Sequence, residues 1–299
     1  MSEPFQILEV AAAMRSDVEH LGSKAKFWFK WNAENWLFKE AREHSGEDWS
    51  EKVASEIARL LGLPTHRAEL AVAAGKRGCA VRSFLTDYPG DLVHGNELLG
   101  GFITGYDKDK QRGQAEHTFD NIVAVIEKMF PDEKERRAAA IRMVGYLVFD
   151  ALVGNTDRHH QNWGAVLTFR RDEDGFRTLH TQLAPTFDHA SSLGRELTDE
   201  ARLRHLRDGT LLRYIHKGKG GIFENGSSKA GMSPIALAAM LANRYPEFFG
   251  PWRSRIENLS LDAVREIIWR VPGERISEPG REFALSFVVA SRKLLLETP

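Results

Sequence analysis

The sequence has little cysteine, no long apolar run and no excess of charge of either sign, and each shortage excludes a class of protein. With one cysteine, Cys79, in 299 residues, no intrachain disulfide can form, which predicts a reducing compartment. We expect Cys79 to be a small buried apolar residue rather than a reactive thiol. No window approaches the ~20 apolar residues that span a bilayer, and the first residues, MSEPFQILEV, lack the basic start of a signal peptide. We therefore predict a cytoplasmic protein with no membrane partner.

Charge is balanced across the chain, with 41 lysines and arginines against 42 aspartates and glutamates. Affinity for nucleic acid depends on clustered positive charge, so direct nucleic-acid binding is not expected. Hydrophobic residues make up 42% and charged residues 28% of the chain, which is typical of a folded globular protein rather than a disordered one.

The first third of the chain predicts a small sheet with one helix. Two aromatic-rich segments flank a turn-forming stretch, which is typical of an antiparallel pair of strands. Ser50 is a good N-cap for the apolar residues that recur after it at helical spacing. The predicted elements are strands at 26–31, 36–39, 69–73 and 80–85 and a helix from about residue 50 to residue 61.

The remainder of the chain is predicted to be mostly helical. A helix that begins at Asp132 is apolar on every face between Met143 and Val153, which places it in the middle of a core, and Gly154 is a typical helix stop. From Pro185 to about residue 232 the chain is polar, and we expect an irregular region there. The other predicted elements are helices near 120–129, 234–246, 260–270 and 280–296 and strands at 163–169 and 176–182.

These elements predict an α+β chain of two lobes. Residues 1–86 would form a β-rich lobe with one helix, and residues 97–299 would form a larger helical lobe. Between them, residues 87–96 (DYPGDLVHGN) are dense in turn-forming residues and are the candidate hinge.

The most informative stretch is GNTDRHHQNWG, residues 154–164, a polar loop between a buried helix and a strand. Asp157 and Asn162 lie five positions apart in it, which is the spacing of the protein-kinase catalytic loop. A carboxylate can accept the proton of an attacking hydroxyl, and an amide oxygen can bind a hard cation without adding negative charge. The alternative interpretation is a polar loop that caps a helix. We expect His159 to brace this loop and His160 to face solvent.

A second acidic residue follows in the segment APTFDHA, residues 184–190. A kinase needs another oxygen ligand at this point of the chain, because its metal bridges phosphate oxygens while the protein holds it from the other side. Asp188 is the candidate. Histidine and alanine follow it, so the motif is not DFG and a switch by a phenylalanine is not expected.

A lysine for the nucleotide phosphates, with a helical glutamate to hold it, is expected upstream. Two aromatic-aliphatic runs end in lysine, at Lys30 and at Lys39. We prefer Lys39, because it lies on the second strand of the pair and just before the predicted helix. From the residues alone, Glu51 and Glu56 both remain candidates for its partner on that helix.

The phosphate-binding loop is the weakest of these elements, since the chain has no GxGxxG motif. Only LGSK, residues 21–24, precedes the first predicted strand. Gly22 and Ser23 are the candidates for turning backbone N–H groups toward phosphate.

In this order along the chain, the motifs resemble the HipA-like kinases, which are bacterial toxin-type serine/threonine kinases with a variant protein-kinase fold. The resemblance is carried by Asn155-x-Asp157-x-His159-x-x-Asn162, by Pro185-x-Phe187-Asp188, by LFKE around Lys39 and by SEKVASEIARLLGLP from Ser50 to Pro64. It extends from about residue 22 to at least residue 193 and implies a bilobal protein-kinase-like fold. The chain looks like the compact HipT-type branch, because it begins almost directly at the smaller lobe.

The resemblance implies ATP and Mg²⁺ as cofactors and a role for each matching residue. Asp157 matches the catalytic base, Asn162 and Asp188 match magnesium ligands, Lys39 matches the ATP-phosphate lysine, Glu51 rather than Glu56 matches the helix glutamate, and Phe84–Asp87 match part of the hinge beside the adenine. Family members phosphorylate aminoacyl-tRNA synthetases and are restrained by antitoxins, which implies a helix-turn-helix partner here. They also phosphorylate a serine of their own glycine-rich loop, which implicates Ser23.

Three other functions remain open on the sequence. A two-metal phosphoesterase needs an earlier Asp-x-His and a late histidine pair, and no histidine follows His216. A pseudokinase binding module would have lost the base, a metal ligand or the lysine, and all these positions are filled. A small-molecule or lipid kinase on the same architecture would differ only in its acceptor surface. We expect that surface near GKGGIFENGSSK, residues 218–229, a loop predicted to be flexible and solvated, whose lysines could dock an acidic partner.

Overall fold

A computed structural model of the chain describes residues 3–18, 26–171, 175 and 177–298, which form two sheets and ten α-helices. The N-terminal sheet contains β1 (Ile7–Val10), β2 (Arg15–Val18), β3 (Lys26–Trp31), β4 (Glu34–Glu40), β5 (Ala68–Ala73) and β6 (Lys76–Arg82). The second sheet contains β7 (Asp91–His94), β8 (Gly164–Arg171) and β9 (Arg177–Leu183). The helices are α1 (Glu47–Leu60), α2 (Gly95–Phe102), α3 (Phe119–Met129), α4 (Glu133–Val153), α5 (Asp199–Arg207), α6 (Leu211–Lys217), α7 (Pro234–Arg244), α8 (Pro246–Glu257), α9 (Leu261–Trp269) and α10 (Glu278–Glu297).

The N-terminal sheet has the order β1-β5-β6-β4-β3-β2, in which β1 pairs parallel with β5 and the other neighbours are antiparallel. Asn32 and Ala33 join β3 to β4, both at positive φ (50° and 62°), which is the two-residue turn that matches the twist of a hairpin. The antiparallel pair that the aromatic-rich segments predict is confirmed.

Helix α1 begins earlier than the sequence predicts. Its N-cap is Gly46 rather than Ser50, and Glu47 and Asp48 occupy the first turn, where the helix dipole favours acidic side chains. Ser50 lies inside the helix, fully buried, and its hydroxyl donates to the Ser192 carbonyl at 2.9 Å. The predicted cap is therefore wrong, and Ser50 instead joins the helix to the helical part of the chain.

Helix α4 is the centre of the main core. Every residue from Met143 to Val153 is buried, as the apolar sequence predicts. The helix ends at Gly154, whose φ of 72° is the left-handed conformation that favours glycine, and a Cβ here would lie 2.3 Å from Phe287 of α10. The polar loop that follows therefore starts from a rigid, buried support.

The second sheet belongs to the helical part and surrounds that polar loop. β8 leaves the loop, and β9, antiparallel to it, leads into the segment that contains Asp188. β7 pairs with β8 on the other side. Of the segment predicted as the hinge, residues 91–94 form β7 and residues 95–96 begin α2, so the chain crosses from β6 to β7 through residues 83–90.

Part of the chain is more regular than its composition indicates. The polar region expected to be irregular contains α5 and α6. Helix α8 is also unpredicted: Pro246 stands at its start, where the missing N–H costs little, and Pro251 stands inside it. The other elements that the sequence analysis does not predict are β1, β2, β7 and α2.

Cys79 is buried on β6, at 3% exposure, as expected. It lies opposite Lys39 on β4. Within the ranges described above, no helix is long and apolar enough to cross a membrane.

Candidate active site

The polar loop after α4 is held in place by Arg158. This side chain is 3% exposed, and its guanidinium donates to the buried Asp150 of α4 through Nε at 2.7 Å and Nη2 at 2.8 Å. It also donates to the Asn162 carbonyl, to the Phe187 carbonyl at 3.1 Å and to Thr186 Oγ1 at 2.9 Å. One buried guanidinium therefore binds the helix, the polar loop and the segment that follows β9.

Within the loop, Asp157 and Asn162 are joined through the backbone. Asn162 Nδ2 donates to the Asp157 carbonyl at 2.7 Å, and Asn155 Oδ1 accepts the Asp157 backbone N–H at 3.1 Å. The Asp157 residue is exposed, whereas both asparagines are buried. The carboxylate thus extends from a loop whose backbone is fixed by two amides. Because the Asn162 nitrogen is committed to a carbonyl, its Oδ1 is the atom that can bind a cation.

Asp188 lies where the two lobes meet. Two residues earlier, Thr186 pairs in parallel with Thr65, and its N–H donates to the Pro64 carbonyl at 2.9 Å. Asp188 has a φ of 60°, which is uncommon for a residue other than glycine and is found preferentially at functional sites. Its Oδ1 accepts a hydrogen bond from Lys39 Nζ of β4 at 2.9 Å. A lysine of the N-terminal sheet and a carboxylate of the helical lobe therefore meet directly.

The charges at this junction stabilise one another. Burial alone would lower the pKa of Lys39, but the carboxylates of Asp188 and Glu51 outweigh it and hold that pKa well above its usual value. Burial alone would raise the pKa of Glu51, but Lys39 and His66 outweigh it and lower that pKa to about 2. At neutral pH the charged ammonium group of Lys39, whose side chain is 14% exposed, therefore interacts with two carboxylates.

Glu51 is held by two histidines rather than by Lys39. Its Oε1 lies 2.8 Å from His66 Nε2 and accepts the His189 backbone N–H at 2.9 Å, and the two imidazole rings stack with centroids 5.1 Å apart. In place of the direct lysine–glutamate pair expected from the sequence, Lys39 forms its hydrogen bond with Asp188, and Glu51 acts on Lys39 through its charge.

The start of α1 also binds the chain segment that follows Asp188, at residues 192–195. The Gly46 N–H donates to the Arg195 carbonyl at 2.9 Å, and Arg195 Nη1 donates to Glu47 Oε1 at 2.8 Å. Together with the bond from the Ser50 hydroxyl to the backbone of that segment, these contacts fix it against the N-terminal lobe.

The predicted hinge residues differ in their surroundings. The Phe84 ring stacks on Phe187 with centroids 5.8 Å apart, and His94 meets Phe187 edge-on at 5.9 Å. The Asp87 carboxylate is instead bound by Arg82, whose hydrogen bond lowers the pKa of Asp87. The structure therefore brings Phe84 next to the segment that contains Asp188, whereas the side chain of Asp87 is bound by Arg82.

Four other candidate residues are not seen at the Lys39–Asp188 contact: two lie outside the described residues, and two lie elsewhere on the surface or in another ion pair. Gly22 and Ser23, the candidates for the phosphate-binding loop, lie outside the described residues. Lys30 is exposed on β3. Glu56, the alternative partner of the phosphate lysine, pairs with Lys52 at 2.7 Å.

The two neighbouring histidines of the loop differ in burial, and neither is fully exposed. His160 is 2% exposed, its Nδ1 lies 2.8 Å from the Tyr106 hydroxyl, and burial lowers its pKa to about 4. The prediction that it faces solvent is wrong, because its ring packs beneath the loop beside His117. His159 is half-buried, its Nδ1 accepts the Gln161 N–H at 3.2 Å, and burial lowers its pKa.

Sequence reasoning missed the side chains that hold the site together. Asp150 is the one charged residue between Met143 and Val153, and a buried acid in an apolar run needs a cationic partner. Arg158, eight positions further along, is that partner. The Asp150–Arg158 pair could therefore have been predicted from the sequence. The role of His66 could not, since its contact with Glu51 depends on how the lobes come together.

The oxygen donors at the junction fit magnesium. The Asn162 amide oxygen and the Asp188 carboxylate are hard ligands, and Mg²⁺ in proteins is commonly held by one or two such groups together with phosphate oxygens and water. Arg158 binds the backbone of Asn162 and of Phe187, which precedes Asp188, so both candidate ligands are positioned by the same side chain.

A β-rich lobe and a helical lobe that meet at Lys39 and Asp188 define a protein of the kinase fold. Residues 18–215 match the family model of the HipA-like C-terminal domain. The chain therefore belongs to the HipA-like C-terminal domain family, and the resemblance drawn from its motifs is confirmed.

Two solved structures share this architecture. The proinflammatory kinase CtkA of Helicobacter pylori superposes with a TM-score of 0.73 at 18% identity, with 97% of each chain covered. HipA of Shewanella oneidensis MR-1, solved with HipB and its operator DNA, gives a TM-score of 0.56 at 15% identity, over 94% of this chain and 64% of that chain. The predicted α+β, bilobal, protein-kinase-like fold is thereby confirmed. No curated protein matches the sequence significantly.

Proposed function

We propose that this chain is an ATP- and Mg²⁺-dependent serine/threonine protein kinase of the HipA-like toxin type. The observation that carries the proposal is the 2.9 Å contact between Lys39 Nζ and Asp188 Oδ1. It joins the two lobes through one group suited to binding phosphate and one suited to binding a metal ion. The exposed carboxylate of Asp157, on a loop tied to Asn162, supplies the third group that phosphoryl transfer needs.

ATP would bind between the lobes. Lys39 would bind its phosphates, because the neighbouring carboxylates keep this side chain cationic. Glu51 would keep Lys39 in place through its charge, and Phe84 would lie beside the adenine. Gly22 and Ser23 are proposed to bind the phosphates through their backbone.

In the transfer step, Asp157 orients the acceptor hydroxyl and takes its proton. The acceptor oxygen forms a bond to the γ-phosphorus while the bond from that phosphorus to the β–γ bridging oxygen breaks, and ADP leaves. Mg²⁺ held by Asn162 and Asp188 would offset the negative charge of the phosphates. Positioning and electrostatic stabilisation account for most of the rate enhancement in such reactions.

The partners of this reaction are proposed from the family. The acceptor would be a protein, such as an aminoacyl-tRNA synthetase, and a helix-turn-helix antitoxin would restrain the kinase. The Shewanella HipA structure contains HipB and operator DNA, which supports an antitoxin partner here. Ser23 is the proposed site of self-phosphorylation, and the cytoplasm is the proposed location.

Incubation with γ-labelled ATP, Mg²⁺ and bacterial lysate tests the activity. Wild type is expected to label one or more proteins, and Asp157→Asn is expected to lose about 100-fold or more of the rate, because the proton acceptor is removed. Asp262→Asn, an exposed aspartate on α9, is the matched control and should label at the wild-type rate. Equal labelling by Asp157→Asn would show that this carboxylate is not the base.

A further inference from the structure

A cavity of about 400 Å³ opens directly beside the polar loop that carries Asp157. Thr156, the neighbour of Asp157, forms part of its wall, and so does Ser191, whose carbonyl accepts the Thr156 N–H at 3.3 Å. Its apolar part is formed by Ile235 and Phe287 of α7 and α10. The cavity therefore adjoins the residue proposed to activate the acceptor, and nothing in the ATP site uses it.

One wall of the cavity is the loop that follows α6, and this loop is fixed against the catalytic loop. A Cβ on Gly218 would lie 3.3 Å from Thr156 Cγ2, and a Cβ on Gly221 would lie 2.7 Å from the backbone of Arg158. His117 Nδ1 also binds the Gly221 carbonyl at 2.7 Å. The first residues of the segment predicted to be flexible thus form a packed wall, because two glycines allow close backbone contact.

The charge at the mouth of this cavity is predominantly positive. Lys217 and Lys219 both line it and are exposed. Neither ammonium group forms an ion pair within the described part of the chain. Glu196 is the one acidic residue in the lining, and it already accepts a hydrogen bond from the Tyr214 hydroxyl. Two unpaired lysines beside an apolar cavity wall favour a ligand with one apolar group for the cavity and acidic groups next to it.

We infer that this cavity binds the phosphoacceptor, and that the acceptor is an acidic peptide segment. Its serine or threonine would lie at Asp157, an apolar neighbour would enter the cavity, and flanking aspartates or glutamates would pair with Lys217 and Lys219. This assignment rests on the proposed kinase activity and names the substrate class of the same site. It also assigns the acceptor surface to α6 and the loop after it.

Three matched serine peptides test the inference, with glutamate, glutamine or lysine on both sides of an otherwise identical core. Wild type should phosphorylate the glutamate peptide with a kcat/KM roughly tenfold above that of the lysine peptide, since two exposed ion pairs are gained. The ratio should fall toward one as salt is raised, because the pairs lie at the surface.

Charge reversal provides the sharper comparison. The double variant Lys217→Glu/Lys219→Glu should reverse the order and favour the lysine peptide. Lys229→Glu, an exposed lysine of the same loop outside the cavity lining, should keep the wild-type order. If the double variant does not fold, the wild-type order and its salt dependence still decide the question.

The outcomes separate the two proposals. Labelling of lysate proteins by wild type, with no preference for the glutamate peptide or with a preference for the lysine peptide, would overturn the acidic acceptor and leave the kinase activity intact. A reversed order that is confined to the double variant would support the cavity assignment. Failure of wild type to label any peptide or lysate protein would contradict the kinase activity itself.

Discussion

At the scale of single residues, Arg158 determines how the site is arranged. Its five hydrogen bonds reach a buried carboxylate, two carbonyls and a hydroxyl, and they cross from α4 to both segments that supply candidate metal ligands. Neighbouring charges also raise the pKa of Arg158, so it stays cationic although it is buried. The positions of Asn162 and Asp188 therefore depend on a side chain that would itself touch neither ATP nor acceptor.

Replacement of Arg158 by methionine tests this dependence. Arg158→Met should lower the free energy of unfolding by about 3–5 kcal/mol, because it leaves the buried Asp150 charge without a partner. Urea denaturation followed by circular dichroism measures the loss.

The control for this loss removes both charges together. Asp150→Leu/Arg158→Met should be more stable than Arg158→Met alone by at least about 1 kcal/mol, since no unpaired charge then remains. If the double variant is as unstable as the sum of the two single variants, the pair is not coupled and the structural role given to Arg158 is wrong.

Spacing in the sequence predicts the candidate site residues, but not the partners that hold them. Asp157, Asn162 and Asp188 were predicted from their order and separation, which reflect local loop geometry. The bond between Lys39 and Asp188 was not predicted, because it joins residues 149 positions apart and forms only when the two lobes come together. Roles for these residues stay predictions until activity is measured.

At the scale of structural elements, segments with a clear apolar or aromatic pattern were predicted well. Segments that contain proline or are short were predicted poorly. The β3–β4 pair and helix α4 follow directly from aromatic runs and an unbroken apolar stretch. Helix α8 was missed because Pro246 and Pro251 both read as helix breakers, although proline is tolerated at a helix start. Helix α5 was missed because its sequence is mostly polar, and α6 because it is only seven residues long. Both pack on α10, where the Tyr214 ring of α6 contacts Phe283 and Phe287.

His117 anchors the loop after α6 and should make stability depend on pH. Its Nδ1 binds the Gly221 carbonyl, and its Nε2 accepts from Trp163 Nε1 at 3.1 Å, so the ring must be neutral because an indole N–H can only donate. Burial accordingly lowers the pKa of His117 to about 3. In the unfolded chain the pKa of this histidine is near 6.5, so its imidazole is protonated in the unfolded state before the folded state as pH falls. Stability is therefore lost between about pH 6.5 and pH 3.

Unfolding free energies measured from pH 7.5 to pH 5 check this expectation. Wild type should lose about 2 kcal/mol more over this range than His117→Asn, which lacks the titrating group. His180→Asn, which removes an exposed histidine of β9, is the control and should follow the wild-type curve. Parallel curves for wild type and His117→Asn would contradict the buried neutral state.

At the scale of the whole molecule, a second buried ion network, separate from the Lys39–Asp188 pair, joins the lobes. Asp48 of α1 is fully buried and accepts from Arg77 of β6 at 2.8 Å and from Arg275 of the C-terminal part at 2.8 Å. Arg275 also donates to the Ala71 carbonyl of β5 at 3.3 Å. Helix α1, which carries Glu51, is therefore held to the helical lobe as well as to its own sheet.

Asp48→Asn should lower the free energy of unfolding of both lobes in a single transition. The change leaves the buried Arg275 charge uncompensated and is expected to cost about 3 kcal/mol, with one cooperative transition shifted to lower denaturant. The exposed control Asp262→Asn should stay within about 0.5 kcal/mol of wild type. A variant in which the sheet lobe melts separately, at unchanged stability of the remainder, would show that the network does not couple the lobes.

Calorimetric titration of ADP into the protein, with and without Mg²⁺, tests most directly whether Asn162 and Asp188 hold the ion beside a nucleotide bound between the lobes. Wild type should bind ADP roughly tenfold or more tightly when Mg²⁺ is present, because Asn162 and Asp188 supply charged and polar oxygen to the ion. Asp188→Asn should lose this dependence on Mg²⁺, whereas Asp262→Asn should retain it. Equal Mg²⁺ dependence in wild type and Asp188→Asn would place the metal elsewhere and contradict the proposed site.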